Sequence, residues 1–289
     1  MNCIGREENH CRGNPCGRPR ITPACIFYTG DRKGRPYTIN FYRFKQIMET
    51  KLKTYKKDSE YSYALGASPA IELLQNRPQD CFKVIFSSSY ADKDGKIKNL
   101  CAKYKIPCEE NQKIINILSP KENCYVIGAF VKRRQTIDKN KSHVVLDNPS
   151  DMGNLGTVMR SCAGFGIEDI AIIGNGADVY SPKTIRASMG AFFHVNTEYF
   201  ASVRDYLDLR CGNDNREIYT FMLDADYSLR DLNPHSRQIY SLIFGNEASG
   251  LDYNIYKNTG KSVVIKHTGK IDSLNLPIAV SIALFWFAK

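Results

Sequence analysis

Short apolar runs closed by turn residues alternate along this chain with stretches whose apolar positions recur at helical spacing. The runs stand at Phe82 to Phe86, Tyr125 to Ile127, His143 to Asp147, Ile170 to Ile173, Phe192 to Val195, Ile218 to Leu223, Tyr240 to Phe244 and Val263 to Ile265. Brief, apolar and ended by turn signals, the runs near the end of the chain predict buried parallel strands, and those before residue 131 a small mixed or parallel sheet. Between them the spacing predicts helices at Ser68 to Gln75, Ile97 to Tyr104 and Gln112 to Leu118. A further helix is expected from Asn154 to Gly164 or Gly166, with Leu155, Val158, Met159 and Cys162 facing inward. A turn and helix follow at Ser181 to Gly190, and an apolar helical tail runs out to Phe287. Strands alternating with helices make the class α/β, and the strand-helix-strand unit from His143 to Ile173 should cross over right-handed.

A polar stretch divides the pattern. Residues 61–131 read as a small α/β unit and 143–289 as a second domain, joined by a charged linker over 132–142. Residues 1–60 read as a basic extension, part of it flexible, because 1–36 are rich in Gly, Pro and Arg and offer little to a core. From Asn40 to Lys57 lysines and aromatics interleave, and Phe41, Phe44, Ile47, Met48 and Leu52 would share one face of a helix. Two uses stay open for that segment: RNA contact through charge and stacking, or a solvated amphipathic helix.

Charge sharpens the division. The net charge is +10, yet residues 1–143 carry 27 Lys and Arg against 14 Asp and Glu, while 144–289 carry 13 against 16. A basic first half suits a polyanion, since each phosphate it neutralises releases condensed counterions. No continuous apolar stretch near the start reads as a secretory signal. The longest apolar run, Leu276 to Ala288, is broken by Pro277 and Ser281 and falls short of the roughly 20 residues a membrane-spanning helix needs. A soluble cytoplasmic protein without a membrane partner is expected. The ten cysteines show no repeated close pairs; Cys81, Cys101, Cys124 and Cys162 read as small buried residues with free thiols. Cys3, His10, Cys11, Cys16 and Cys25 are metal-ligand types whose spacing fits no standard zinc pattern, so no metal site is expected there.

Chemistry concentrates in the second domain. The run ending at Phe244 drives into Gly245-Asn246-Glu247-Ala248-Ser249-Gly250-Leu251, and the one ending at Ile265 leads on to Asp272-Ser273-Leu274-Asn275. Turns that follow parallel strands lie where open α/β sheets bind ligands, and Gly245 and Gly250 let backbone approach a ligand closely. A third block, Asn154-x-Gly-x-x-x-Arg160, opens the helix after the first strand of this domain. In this order, and with Arg186-Ala-Ser-Met-Gly-Ala191, these blocks closely resemble the SpoU (TrmH) family of RNA ribose 2′-O-methyltransferases, in the SPOUT superfamily. The resemblance covers 143–289 and, more weakly, 61–131, which is similar to that family's small substrate-binding domain related to ribosomal protein L30e.

The resemblance implies a parallel-sheet domain with a deep trefoil knot, S-adenosyl-L-methionine as cofactor, RNA as substrate and a homodimer. By position it implies cofactor contacts at Leu223, Gly245, Ile265 and Leu274, and catalytic roles for Asn154, Arg160, Glu247, Ser273 and Asn275. The chain departs from the family at Lys266-His267, where Pro and a small or apolar residue are usual, at Asp272, and at Cys124-Tyr125-Val126-Ile127. Methyl transfer to a hydroxyl asks mainly for in-line positioning. Arg160, always protonated, suits a bidentate hold on the adjoining phosphate better than a base. Asn154 would fix the ribose or Arg160, or cap its helix. Glu247 would accept hydrogen bonds and order its loop, or be a first-turn acid favoured by a helix dipole, and Ser273 and Asn275 would order the cofactor loop or cap the last helix. His143, His194, His235 and His267 form no triad. The tail helix, with Phe285, Trp286 and Phe287, is apolar around most of its circumference and needs a cover, which a second subunit would supply. By analogy of layout, large-subunit ribosomal RNA is favoured over tRNA. The rival readings are a non-catalytic RNA- or ribosome-binding module that kept the fold, and a dinucleotide enzyme, against which the lack of Gly-x-Gly-x-x-Gly counts.

Overall fold

The structure, a computed structural model, describes residues 27–30, 36–39, 47, 51–90, 92, 95–119, 124–211, 216–233 and 239–287. Cys3, His10, Cys11, Cys16, Cys25 and His235 lie outside them, as does most of the helix expected from Asn40. Where that helix was expected to continue, at residues 51–57, the chain is irregular. Its backbone serves tertiary partners instead: the carbonyl of Lys53 accepts from the Tyr63 hydroxyl at 2.6 Å, while Leu52 and Tyr55 pack against the core of the first sheet.

An antiparallel ribbon, β1 (Phe27–Gly30) and β2 (Pro36–Ile39), comes first. A four-stranded sheet follows, built from β3 (Tyr61–Leu65), β4 (Cys81–Phe86), β5 (Cys108–Glu110) and β6 (Val126–Val131) in the order β3-β6-β4-β5. The central strand β6 is buried throughout and runs antiparallel to both neighbours, whereas β4 and β5 are parallel. Helices α1 (Ala67–Asn76), α2 (Lys96–Tyr104) and α3 (Gln112–Leu118) connect them, close to their predicted bounds. The pattern of apolar runs revealed neither β3 nor the three-residue β5.

The second sheet takes up the later apolar runs as seven strands, every neighbouring pair parallel. In chain order they are β7 (His143–Asp147), β8 (Asp169–Ile173), β9 (Asn196–Phe200), β10 (Glu217–Phe221), β11 (Tyr227–Ser228), β12 (Tyr240–Phe244) and β13 (Lys261–Val264). In space the order is β11-β13-β10-β12-β7-β8-β9. The chain builds outward from β7 through β9, returns to the other side, and inserts β12 between β10 and β7. Strand order therefore reverses beside β7, the place where α/β sheets open a crevice at the strands' carboxyl ends. The helices are α4 (Met152–Gly164), α5 (Pro182–Ala187), α6 (Val203–Tyr206), α7 (Tyr253–Tyr256) and α8 (Leu276–Phe287).

Two expectations need correction here. The apolar run Phe192 to Val195 is not a strand: Ala191–Phe193 form a 3-10 turn after Gly190, whose φ of 93° starts it. Both phenylalanines are buried, and their rings meet Phe130 of β6, so the run is apolar because it packs between the sheets. The charged stretch 132–142 is not a free-running linker. Ile137 is buried, and the backbone N–H groups of Ile137 and Asp138 donate to Glu198 and Asp169 at 3.1 and 2.8 Å. Arg77 adds a bridge between the sheets, donating to the carbonyls of Phe193 and Val195 at 3.1 and 2.7 Å. One cluster of buried apolar side chains spans both sheets, from Ala64 and Leu73 to Leu146 and Phe192.

Candidate active site

The turn after β12 is folded tightly on itself. Asn246 and Gly250 exchange backbone hydrogen bonds at 3.2 and 2.9 Å, and the Asn246 side chain accepts from the N–H groups of Ala248 and Ser249 at 2.9 and 3.2 Å. A Cβ on Gly245 would lie 2.1 Å from the carbonyl carbon of Gly250, so only glycine permits the fold-back. Asn246 also donates to the Asn148 carbonyl at 2.7 Å, joining this turn to the loop after β7.

Glu247 completes the junction. One carboxylate oxygen accepts from the N–H and hydroxyl of Ser150 at 2.9 and 2.8 Å. The other accepts from the N–H of Asp151 at 3.2 Å and the side-chain amide of Asn154 at 3.1 Å. Burial pushes the carboxyl pKa up, but these hydrogen bonds to the charged form outweigh it and hold it at about 2. Contrary to expectation, Asn154 does not begin its helix and is not its cap, which leaves its side-chain amide to make this contact. Helix α4 starts at Met152, and Asp151 is the cap, accepting from the N–H of Asn154 at 2.7 Å.

A cleft of about 420 Å³ opens at the carboxyl ends of β10, β12 and β13. Leu223, Gly245, Glu247, Ile265, Ser273 and Leu274 all line it. Its apolar part includes Phe221 and Phe244, whose rings stack at 4.4 Å. Asp224, Tyr253 and His267 also line it, and were not singled out for this role from the sequence. His267 Nδ1 accepts from the Gly269 N–H at 3.2 Å, so in the neutral ring Nε2 carries the hydrogen and is a donor. Asn154 reaches the cleft only through Glu247. Asn275 is exposed, and its carbonyl accepts from the Ala279 N–H at 3.0 Å at the start of α8.

Arg160 is not brought to this turn within one chain. It is exposed on α4 and does not line the cleft. Six residues beyond Asn154, it sits about 9 Å further along the helix and on a different face. Sequence reasoning missed Ser150, whose two hydrogen bonds to Glu247 span 97 positions; only the adjacency of β7 and β12 exposes it. Among the described residues no group of three or more His, Cys, Asp or Glu is placed to hold a metal, and no helix is long and apolar enough to cross a membrane.

The segment holding this sheet, turn and cleft, residues 141–285, matches the model of the SpoU rRNA Methylase family. The chain belongs to that family. The SpoU segment is 28% identical over 143 residues to the 23S rRNA (guanosine(2553)-2'-O)-methyltransferase RlmP of Bacillus subtilis, covering 49% of this chain and 56% of that protein. It is 28% identical over 154 residues to the 23S rRNA (uridine(2479)-2'-O)-methyltransferase of Streptomyces viridochromogenes, covering 49% and 50%. The chain thus spans about half the length of these curated relatives. Among solved structures, the SpoU methyltransferase AviRb from Streptomyces viridochromogenes, in complex with the cofactor AdoMet, superposes with a TM-score of 0.69 at 19% identity, over 86% of this chain and 96% of that one. That likeness establishes a shared α/β fold with a parallel sheet.

Proposed function

We propose that this chain transfers a methyl group from S-adenosyl-L-methionine to a ribose 2′-oxygen of RNA, with large-subunit ribosomal RNA as the target class. The observation that carries the reading is the junction of Glu247 with Ser150, Asp151 and Asn154 beside a cleft lined by Leu223, Gly245, Ile265 and Leu274. Relatives named as 23S rRNA 2'-O-methyltransferases support the reaction and the substrate class.

The lining residues fit the cofactor. A cleft of about 420 Å³ has the size of a small-molecule site, with apolar walls at Phe244, Val263 and Ile265 for a purine and a carboxylate at Asp224 for a cationic group. When bound, S-adenosyl-L-methionine supplies an activated methyl on a sulfonium, so the protein needs chiefly to orient the hydroxyl and exclude water. Glu247, with both oxygens occupied and a pKa near 2, is an organiser of the turn and not the proton acceptor. Ser273 and Leu274 close the cleft from the other turn. Arg160, permanently charged, grips the phosphate next to the target ribose. Because it stands away from its own chain's cleft, it acts in a homodimer, on the cofactor held by the second subunit.

Three further features belong to this reading. The segment after β12 threads the preceding loop as a trefoil knot, a course consistent with β12 entering between β10 and β7 and β13 lying beyond β10. Residues 61–131 form an RNA substrate-binding domain, 132–142 the connection, and 143–289 the methyltransferase domain. The basic half of the chain meets the RNA. Isothermal titration of S-adenosyl-L-methionine, with tritiated methyl transfer to ribosomal RNA from cells lacking the protein, tests all of it. Saturable binding and label at a ribose are expected. Absence of binding at millimolar ligand would defeat the proposal. RNA binding with no incorporated label, indifferent to Arg160→Ala, would favour the non-catalytic module.

A further inference from the structure

Ahead of the first sheet runs a strap of irregular chain, residues 51–57. Lys51, Lys53, Lys56 and Lys57 are all exposed, and no acidic residue interrupts them before Asp58. No ion pair with any of the four forms among the described residues. A lysine-rich segment without a core of its own has little reason to be ordered, yet this one is held at three points by residues outside it, two of them distant in sequence. The Tyr63 hydroxyl donates to the Lys53 carbonyl at 2.6 Å. The Tyr55 hydroxyl donates to an Asp178 carboxylate oxygen at 2.5 Å, across 123 positions. The Lys132 ammonium donates to the Lys57 carbonyl at 2.9 Å and lies 4.5 Å from the centre of the Tyr55 ring.

These pins use a tyrosine and backbone carbonyls, and leave the four strap lysines in solvent. The Asp178 pin is also the one that bears on the candidate active site. Asp178 lies in the loop between β8 and α5. Its neighbour Ala177 donates its N–H to the Pro149 carbonyl at 2.6 Å, and the residue after Pro149 is Ser150, which holds Glu247. The strap is thus fastened to the loop that backs the Glu247 junction.

We propose that residues 51–57 form a phosphate-gripping strap for the RNA backbone, positioned by Tyr55 so that the strand it holds passes the Glu247 side of the cleft. The proposal rests on the RNA methyltransferase reading and names where on the surface the RNA backbone is held. The four lysines supply sequence-independent affinity, and the Tyr55–Asp178 bond supplies register.

The test replaces Lys51, Lys53, Lys56 and Lys57 together with Gln and follows a fluorescein-labelled hairpin RNA by anisotropy across a potassium chloride series. The expected result is a Kd raised about tenfold or more, and a log–log salt slope shallower by roughly 2 to 4, given about 0.9 for each phosphate no longer neutralised. S-adenosyl-L-methionine affinity and the thermal midpoint should match the wild type, since the lysines are exposed. An unchanged Kd and slope would overturn the proposal, as would a wild-type chain whose RNA binding ignores salt. Tyr55→Phe keeps every charge: it should preserve the wild-type slope and lose several-fold in kcat/KM on RNA, and an unchanged kcat/KM would overturn the positioning role. Loss of RNA affinity in the lysine variant of a chain that transfers no methyl group would uphold the strap and sink the methyltransferase reading, so the two failures are distinct.

Discussion

Glu247 shows how one residue binds two parts of the site together. Each of its oxygens accepts two hydrogen bonds, from donors that begin α4 and the loop before it. In Glu247→Gln one oxygen becomes an NH2 group facing donors, so one of the two pairs is broken. Losing hydrogen bonds to a charged group costs about 1.5–3 kcal/mol. A lower urea midpoint is expected, and S-adenosyl-L-methionine affinity should fall at least about tenfold, because the turn is a wall of the cleft. His143 gives a separate pH signature. It is fully buried between the Tyr206 hydroxyl and the Asp138 carbonyl; burial, then the charge of Arg216, pushes its pKa down to about 3. The unfolded chain binds a proton near pH 6.5 that the folded chain refuses, so this group's stability is complete above about pH 6.5 and is lost as pH falls toward 3. Urea unfolding from pH 7 to pH 5 should therefore show a decline of up to about 1.4 kcal/mol per pH unit from this residue. The decline should flatten in His143→Gln; an equally steep decline in that variant would show that another group sets the acid limb.

At the scale of elements, the crossing of α4 and α5 is set by a single small residue. A Cβ on Gly156 would stand 2.5 Å from the Thr184 carbonyl oxygen and 2.8 Å from the Ser188 nitrogen, both backbone atoms that cannot swing aside. Gly156→Val should cost at least about 1–3 kcal/mol by overpacking, read as a lower urea midpoint. A midpoint equal to the wild type would mean the helices separate freely. The same elements show what was legible in the chain. Strands β7, β8 and β12 were readable because both of their faces are buried and the residues are almost wholly apolar. Strand β3 was not, because its buried polar Ser62 breaks the run, and that residue is polar only to reach the Tyr180 carbonyl at 2.5 Å on the other side of the interface. The run at Phe192 was misread because burial against a distant sheet leaves the same apolar mark as burial within one. In the candidate site, Gly245 and Glu247 could be picked out because their block is contiguous in sequence. Ser150 could not, since its meeting with Glu247 depends on which strands become neighbours.

For the whole molecule, the proposed dimer has to bring Arg160 of one subunit to the cleft of the other. The tail helix α8 turns Ile278, Ile282 and Phe285 outward at helical spacing, 52, 38 and 70% exposed. This apolar face adjoins the helix that carries the arginine. Ser161, next to Arg160, shares a hydrogen bond with Ser281 of α8 at 2.8 Å, and Phe165 meets Phe285 edge-on at 6.5 Å. A second copy covering the face would bury these side chains and carry each Arg160 toward the other subunit. Phe285→Glu should therefore sediment as a monomer and lose methyl transfer, while binding S-adenosyl-L-methionine as the wild type does. Co-expression decides between subunits. Arg160→Ala alone and Glu247→Gln alone should each be nearly inactive. Mixed dimers should recover part of the activity if the arginine works in trans, since the alanine subunit keeps its cleft and receives the arginine of its partner. With the arginine acting on its own chain, neither subunit of the mixed dimer would hold a complete site. Mixing would then restore nothing, and the dimeric site proposed for this chain would be wrong.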